Sequence, residues 1–543
     1  MNRRNGVLKF VGLMGLGVTC AISFSSCSKK EDTDGARILH IGNSGEPLSL
    51  DPHQASGAWE RRILTDLFIG LTTSDKDGKP IPGIANEWSV SPDGLVWTFK
   101  LRDAKWSDGV AVSAEDFVFS FRRLFTMKPP AQYASLLFLI KNSQPIFEGK
   151  LPADQLGVRA INNKTLEITL NNPAPYLPGL LSHFAAVALP KHVVEKIGDE
   201  FLKPGNMVTN GPFVLTEWAP NDYIHVIKNK NFYDEANVCL NEMFYYPTQD
   251  DAAAERGIKT GKYDVQTSFS GTRLEELDRT LPGFARVEPF VATTFYVFNT
   301  SKKPFDDVRV RGALSMAINR EFITDKILKG GQKPAYSIVP PGINLYHSGQ
   351  STPEWMNLDR ATRLANAKKL LESAGFGPKH PLKFSFRYRN SGDNPRIAPV
   401  VQQNWREIAP WVEVEIIGSD VQIHYDKLRI RDFEVGDSAW VADFDDARNF
   451  LYNFETSAGI MNNGNYFNAQ YDEILKQSDN EVDANKREQL ILKAEKIAID
   501  DNAVAPVYFY TSRNLVNPRV TGWVNNATDT HPGRYLCTKQ AKK

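Results

Sequence analysis

Three carboxylates stand among aromatic side chains in the stretch WVADFDDARNF, residues 440–450. Asp443 and Asp445 have the two-residue spacing of a calcium-binding loop, but the turn glycine and the glutamate at the twelfth loop position are absent. The sequence therefore does not favour a calcium site. Adjacent carboxylates such as Asp445 and Asp446 are typical of solvated loop charges or of partners to a helix N-terminus.

The motifs that carry catalysis in common enzyme classes are absent from the sequence. Neither Gly-x-Ser-x-Gly nor a phosphate-binding Gly-x-x-x-x-Gly-Lys-[Ser/Thr] occurs, and GIKTGKY (257–263) has the wrong spacing for the latter. The histidines show no paired metal spacing, so we expect His183, His225 and His424 to serve structure or surface. We expect neither an enzyme nor a protein with a metal or other cofactor.

Charge and length limit the expected binding partners and the number of domains. Basic and acidic residues both number 64, so no bulk charge favours nucleic acid or anionic lipid as a partner. A chain of 543 residues is long enough to bury large cores and to form two or three domains.

The N-terminus has the composition of an export signal. Arg3, Arg4 and Lys9 precede the apolar run FVGLMGLGVTCAISF, which falls short of the roughly 20 residues that span a bilayer. Small residues then precede Cys27, an order that resembles a bacterial lipobox. We predict a lipoprotein signal peptide at 1–26, lipidation of Cys27 and a flexible tether at 27–35. The alternative is an ordinary export signal that is cleaved nearby, and Cys20 is the poorer candidate for the lipid.

Cys239 and Cys537 are the cysteines that follow Cys27. Disulfides form outside the cytoplasm, so a bridge between the two is possible, although sequence gives no distance between them.

The elements that must position these residues alternate between strands and helices. LVWTFKLR, between Asp-Gly turns, predicts a strand, and SAEDFVFSFRRLF predicts a helix with an approximate capping box of Ser113 and Asp116. DRATRLANAKKLLESAG predicts a helix that ends at Gly375. Late helices near KREQLILKAEKIAID precede the strand AVAPVYFYTSRNLV. This order predicts a mixed α/β architecture with several sheets.

From about Arg37 to the C-terminus, the chain closely resembles the solute-binding component of bacterial oligopeptide ABC importers. The stretches that carry the resemblance are SLDPH (49–53), VWTFKLRDAKWSDGVAVSAEDFVFSFRRL (96–124), VTNGPFVL (208–215), PFDDVRVRGALSMAINR (304–320), AKKLLESAGF (367–376), WVAD (440–443) and PVYFYTSRNLV (506–516). Their occurrence together and in this order is specific, although each stretch alone is weak.

The resemblance implies an α/β, two-lobed periplasmic-binding-protein fold of type II, cluster C, which closes over its ligand by hinge motion. A discontinuous first lobe is expected from 36–68, 190–293 and 512–543. An extra domain at 69–189 is expected to widen that lobe, and 294–511 to form the second lobe.

The resemblance also assigns ligand-contacting positions. The aspartate of WVAD accepts the ligand's α-ammonium group in peptide-binding members, and Asp443 holds that position here. A buried ammonium group is costly without a carboxylate partner, and walls from Trp440 and Phe444 would exclude water. Backbone pairing with an extended peptide is implied for Ser56, Ala58, Ala439 and Val441, and side-chain contact for Tyr133, Asn462 and Tyr510. The tyrosines could equally be core aromatics, and Asn462 a turn residue.

The sequence departs from the resembled family at a position that can bind the ligand's C-terminal carboxylate. Asp437 stands where peptide binders can carry an arginine for the ligand's carboxylate, and Arg429 or Arg431 would have to replace it. An acidic residue at 437 could instead favour a basic ligand.

The expected function is high-affinity capture of oligopeptides outside the cytoplasmic membrane and delivery to an ABC permease with its ATPases. Murein tripeptide, dipeptide or another solute of the same importer class is the alternative, and a surface chaperone is disfavoured. The protein is expected to act as a monomer, exported to the periplasm or cell surface and held at a membrane through Cys27.

Overall fold

The computed structural model of the protein describes residues 37–343, 346, 351–442 and 444–539. The predicted signal peptide, the tether and Cys27 lie outside the described residues, as does Asp443. Among the described residues, no helix is both long and apolar enough to cross a membrane.

Strands and helices alternate along the chain as the sequence predicts. The strands are β1 (Ile38–Gly42), β2 (Thr72–Ser74), β3 (Pro80–Pro82), β4 (Ala85–Val90), β5 (Val96–Leu101), β6 (Val158–Asn162), β7 (Thr165–Thr169), β8 (Phe213–Ala219), β9 (Tyr223–Lys228), β10 (Glu242–Tyr246), β11 (Val265–Gln266), β12 (Ala285–Phe298), β13 (Lys333–Pro334), β14 (Leu382–Arg389), β15 (Val412–Ser419), β16 (Val435–Val441), β17 (Val504–Val516), β18 (Val520–Thr521) and β19 (Cys537–Thr538). The helices are α1 (Ala58–Leu67), α2 (Ala114–Thr126), α3 (Ser143–Phe147), α4 (Leu177–Leu180), α5 (Lys191–Ile197), α6 (Asp251–Lys259), α7 (Leu274–Thr280), α8 (Val308–Ala317), α9 (Arg320–Phe322), α10 (Arg360–Ser373), α11 (Asn394–Arg406), α12 (Val421–Arg429), α13 (Arg448–Leu451), α14 (Ala469–Asn480) and α15 (Ala484–Asp500).

One large mixed sheet organises the fold, and its two long strands β12 and β17 lie side by side at its middle. The strand order is β15-β14-β16-β12-β17-β11-β1-β10-β9-β8, with β13 also paired to β17. β12 pairs antiparallel with β17 from Ala285 to Val297, with irregularities between Pro289 and Thr293 and at Thr294. Strands from widely separated parts of the sequence therefore meet in one sheet.

The half of the sheet that contains β14, β15 and β16 has an apolar core on each face. Successive side chains of a strand point to opposite faces. On β12, Phe295 accordingly joins a core with Phe450 and Tyr471, whereas Tyr296 joins a different core with Trp405. Helices cover both faces, which explains why this half of the sheet is rich in buried aromatic residues.

A second, four-stranded sheet has the strand order β4-β5-β7-β6, and α2 packs against its strands β6 and β7. Ser113 and Asp116 form the predicted capping box at the start of α2, and the Ser113 backbone N–H donates to Asp116 Oδ2 at 2.9 Å. Phe99 of β5 and Phe117 of α2 belong to the same core as Leu39 of β1. The four-stranded sheet is thus packed continuously onto the region around β1.

A disulfide joins Cys239 and Cys537, with their Cα atoms 5.4 Å apart. It connects the chain just before β10 to the C-terminal strand β19, over a sequence separation of 298 residues. A crosslink over so long a separation restricts the unfolded chain strongly.

Replacing both cysteines, as Cys239→Ser with Cys537→Ser, should lower the free energy of unfolding by about 2–5 kcal/mol, because the unfolded chain regains that freedom. Denaturant titration of the oxidised protein and of the double variant measures the difference. The wild-type protein under reducing conditions is the control and should behave like the variant. Identical unfolding midpoints in all three samples would contradict the prediction.

Candidate functional site

Strand β16 has an open backbone edge near its C-terminal end. On one side, its residues from Val435 to Val441 pair with β12. On the other side, among the described residues, β14 pairs only with Val435 and Gly436. The backbone of Ala439 and Val441, both predicted ligand contacts, is therefore not covered by a second strand, and Val441 is 47% exposed.

A cavity of about 190 Å³, which we call the Trp440 cavity, adjoins this edge. Four of the predicted ligand residues line it: Arg429, Ala439, Trp440 and Asn462. Its remaining wall is largely aromatic and aliphatic, including Phe295 of β12. The tertiary structure thus brings together residues from α12, β16 and the loop before α14.

Trp440 and Asn462 are held in place by hydrogen bonds. The Trp440 indole N–H donates to Asn449 Oδ1 at 2.7 Å, and its ring meets Tyr452 edge-on. Asn462 is buried, accepts the Tyr466 backbone N–H at 3.0 Å and donates to the Tyr466 carbonyl at 2.7 Å. Asn462 therefore stabilises a turn, which is the alternative to its predicted ligand contact, and it also lines the cavity.

Asp437 is buried and its charge is balanced by the protein itself. Arg389 contacts Asp437 through its backbone N–H and its Nε, each at 2.7 Å. His424 Nε2 lies 3.1 Å from Asp437 Oδ1, and burial lowers the pKa of His424 although Asp437 opposes that shift. Burial disfavours the charge of Arg389, yet Asp437 keeps the pKa of Arg389 above its usual value. The hypothesis that Asp437 favours a basic ligand therefore loses its physical basis, because this carboxylate is neither exposed nor unpaired.

The surroundings of Tyr510 differ from those of Arg429 and Arg431. Tyr510 packs against Tyr508 of β17 and contributes to the electrostatic environment of Arg389. Arg429 forms an ion pair with Asp426 on the same helix and remains about half exposed. Arg431 Nη2 donates to the Asn462 carbonyl at 3.4 Å.

The segment after position 443 is fixed by buried ion pairs. Asp446 is buried, receives two hydrogen bonds from Arg487 at 2.7 and 2.9 Å, and accepts the Arg448 backbone N–H at 2.9 Å. Of the two expectations for this residue, the structure confirms the helix N-terminal partner and not the solvated loop charge. The Phe444 ring, two residues earlier, stacks on Tyr176 with centroids 4.9 Å apart.

A second cavity, of about 80 Å³, which we call the Arg61 cavity, is lined by Arg61 and His183; the described residues that line it do not include the predicted ligand residues Ser56, Ala58 and Tyr133. Ser56 precedes α1, Ala58 is the first residue of that helix, and the Tyr133 hydroxyl donates to the Ser56 carbonyl at 3.3 Å. The Tyr133 ring lies 4.6 Å from the ring of His183, which lines the cavity. These residues belong to helix and loop rather than to a strand.

Ala442 and Phe444 also line the Arg61 cavity, so the chain on both sides of position 443 borders it. The sequence does not predict that Arg61, His183 and Tyr176 lie in this region. Arg61 lies in an ordinary amphipathic helix, His183 is interpreted as structural, and Tyr176 follows a proline-rich loop that gives no hint of its distant partner.

The comparisons with known proteins agree with one another. Residues 79–462 match the family model described as "Bacterial extracellular solute-binding proteins, family 5 Middle". The chain is 35% identical to the periplasmic oligopeptide-binding protein OppA of Salmonella typhimurium, over 94% of this chain and 95% of that protein.

Two solved structures have the same architecture over nearly their whole length. The Escherichia coli murein tripeptide binding protein MppA superposes with a TM-score of 0.79 at 34% identity, covering 93% of this chain and 99% of that one. Haemophilus influenzae OppA in complex with RPPGFSPFR superposes with a TM-score of 0.78 at 32% identity, covering 93% and 99%. The expected α/β two-lobed fold is therefore confirmed, and the chain belongs to the bacterial extracellular solute-binding proteins of family 5.

Proposed function

We propose that this protein captures oligopeptides outside the cytoplasmic membrane and delivers them to an ABC permease that is driven by separate ATPases. Family membership and similarity to proteins named for oligopeptide binding support the proposal. We propose a monomer that needs no cofactor, binds no nucleic acid and performs no catalysis.

The open edge of β16 beside the Trp440 cavity is the observation that carries the proposal. An extended peptide can add to such an edge as a further strand, and the backbone hydrogen bonds that it forms there are available to a peptide of any sequence. The adjacent cavity offers room for one side chain. This arrangement suits a ligand that is a peptide of variable sequence.

Asp443 follows β16 by two residues, and we propose that it pairs with the peptide's α-ammonium group. Ligand enclosure removes water from that ammonium group, which is costly without a carboxylate partner. Asp437 and Asp446 on either side are already neutralised by Arg389 and Arg487. Asp443 is thus our candidate for the acidic residue of this stretch whose partner comes from the ligand.

We further propose the lobe boundaries that the sequence suggests: 36–68, 190–293 and 512–543 for the first lobe, 69–189 for its extra domain, and 294–511 for the second lobe. The boundaries at 293 and 511 fall within β12 and β17, the strands shared by both halves of the large sheet. Bending at these two strands would close the lobes over a ligand, because the closed state gains contacts with it.

Calorimetric titration with mixed tri- to pentapeptides tests the function directly. The soluble domain, freed of copurified ligand, should bind peptides with a free N-terminus and not the same peptides after N-terminal acetylation. Asp443→Ala should weaken binding of the free peptides by about 2–5 kcal/mol, the usual cost of removing one partner of a buried pair.

Asp432→Ala is the matched control for this experiment. Asp432 lies in the loop before β16 and pairs with Lys427 at the surface, so its loss should leave peptide affinity unchanged. Equal binding of free and acetylated peptides would remove Asp443 as the anchor. Absence of binding to every peptide would contradict oligopeptide capture itself.

Murein tripeptide is the second candidate ligand. The similarity to E. coli MppA, a murein tripeptide binding protein, is as high as the similarity to the oligopeptide-binding proteins. L-Ala-γ-D-Glu-meso-diaminopimelate belongs in the same titration. Binding of this compound, with no binding of ordinary peptides, would favour the second candidate.

Tyr176 should support ligand binding without touching ligand. It stacks on Phe444, and the Arg487 guanidinium lies 5.7 Å from the centre of the Tyr176 ring. Tyr176→Ala removes this support from the segment around position 443. The dissociation constant for peptide should rise roughly three- to tenfold, since aromatic pairs contribute about 0.5–1.5 kcal/mol beyond buried area. Tyr176→Phe keeps the stack and should bind like the wild type, whereas equal affinities for all three proteins would exclude the supporting role.

We propose that Cys27 carries a lipid anchor and that residues 1–26 are removed as a signal peptide. Metabolic labelling with a fatty acid, followed by fractionation of the expressing cells, tests the proposal. Cys27→Ser should abolish the label and release the protein into the soluble fraction, whereas Cys20→Ser should leave both unchanged. The reverse pattern would move the anchor to Cys20.

A further inference from the structure

The Arg61 cavity has a polar wall that the capture of a peptide backbone does not use. Arg61 reaches it from α1, and His183 reaches it from the loop after α4. Ala442, Phe444 and Asp445 also line it, from the chain that follows β16. Any ligand group that enters this space meets a guanidinium and an imidazole.

Arg61 has no acidic partner within 4 Å among the described residues. Its Nη2 donates to the Thr528 carbonyl at 3.2 Å, which fixes the side chain without neutralising its charge. The next residue, Arg62, behaves differently, because it pairs with Asp529 at 3.7 Å. A half-buried guanidinium without a carboxylate partner is a ready site for an anionic group.

His183 adds a neutral hydrogen-bond donor to the same wall. Burial, aided by the positive charge of Arg61, lowers the pKa of His183 to about 3, so the imidazole is uncharged at neutral pH. Its Nδ1 accepts the Ala185 backbone N–H at 3.2 Å, which leaves the proton on Nε2. No described residue accepts a hydrogen bond from that Nε2.

Three of the hydroxyl groups around the cavity do not compete for this role, because they donate to the protein. Thr65 donates to the Arg61 carbonyl at 2.8 Å, Ser182 to the Gly179 carbonyl at 2.7 Å, and Thr528 to Asn526 Oδ1 at 2.9 Å. Arg61 and His183 are the residues lining the cavity whose side chains carry N–H donors.

We propose that the Arg61 cavity binds a carboxylate of the peptide ligand, supplied by an acidic side chain close to the peptide's N-terminus, with Arg61 and His183 as the donors. The inference rests on the proposed function. The position near the N-terminus follows because residues 442 and 444 border the cavity and flank Asp443, the proposed partner of the α-ammonium group. This chain therefore prefers acidic over basic peptides, the opposite of what Asp437 suggests from the sequence.

Asp445 also lines the cavity, and its negative charge limits the size of the preference for a ligand carboxylate. We accordingly expect a preference of about tenfold, at the lower end of what a charge-assisted hydrogen-bonded pair provides.

Calorimetry with matched tetrapeptides tests the inference. An alanine tetrapeptide carries one glutamate, placed in turn at each position, and each peptide has a glutamine counterpart of the same size. At one of the first two positions, the glutamate peptide should bind the wild-type protein about tenfold more tightly than its glutamine counterpart. Arg61→Gln should abolish this difference and leave the affinity for the glutamine peptide unchanged.

Three comparisons make the result specific. Arg61→Lys keeps the positive charge with fewer hydrogen-bond donors and should retain a reduced preference for the glutamate peptide. Thermal unfolding checks that Arg61→Gln and Arg61→Lys both fold. Arg256→Gln, on the exposed surface of α6, is the control and should bind like the wild type. C-terminal amidation of each peptide separates the two sources of carboxylate, and it should not change the glutamate preference.

Each contrary outcome is distinct. Equal affinity of the wild type for glutamate and glutamine peptides would overturn the carboxylate site while leaving oligopeptide capture intact. A preference that disappears on amidation would assign the cavity to the peptide's own C-terminus and overturn the side-chain assignment. Failure of every peptide to bind would overturn the proposed function, and this inference with it.

Discussion

The antiparallel pairing of β12 with β17 is the constraint on which the rest of the structure depends. These two long strands pair from Ala285 to Val297, and they lie where the two halves of the sheet meet. β16 pairs with β12 along its whole length and with β14 only at its start, and the two faces of β12 contribute to different apolar cores. The open edge and the Trp440 cavity are therefore consequences of where β12 lies.

The distribution of charge separates structural groups from candidate ligand contacts. Asp437, Asp446 and Asp51 are all buried, and each has an arginine partner within 3 Å. A buried charge without a partner costs several kcal/mol, so such pairs stabilise the fold only as complete units. Arg61 is different because, among the described residues, no acidic group lies within 4 Å of it, and a bound ligand can supply one.

Much of the fold follows from local patterns in the sequence. The capping box at Ser113, the strand at Val96–Leu101 and the helix that stops before Gly375 are where the pattern predicts them, because each depends on interactions within a few residues. Gly375 has a φ of +94°, a conformation that favours glycine after a helix end. β12 is longer than its alternating segment FYVFN suggests, since its first half gains strand geometry from β17 rather than from its own sequence.

The site divides in the same way between local and distant causes. The sequence by itself determined that an aspartate stands among aromatic residues at the end of a strand, and that the chain resembles a family of solute-binding proteins. Only the tertiary structure decided that Asp437 is neutralised by Arg389 from another strand, that Phe444 stacks on Tyr176 across 268 positions of the chain, and that Arg61 and His183 share one cavity wall. Residue types and short spacings are written in the sequence, but the partner of a buried charge or ring is chosen by sheet order and packing. Those depend on contacts between residues that are far apart in the chain.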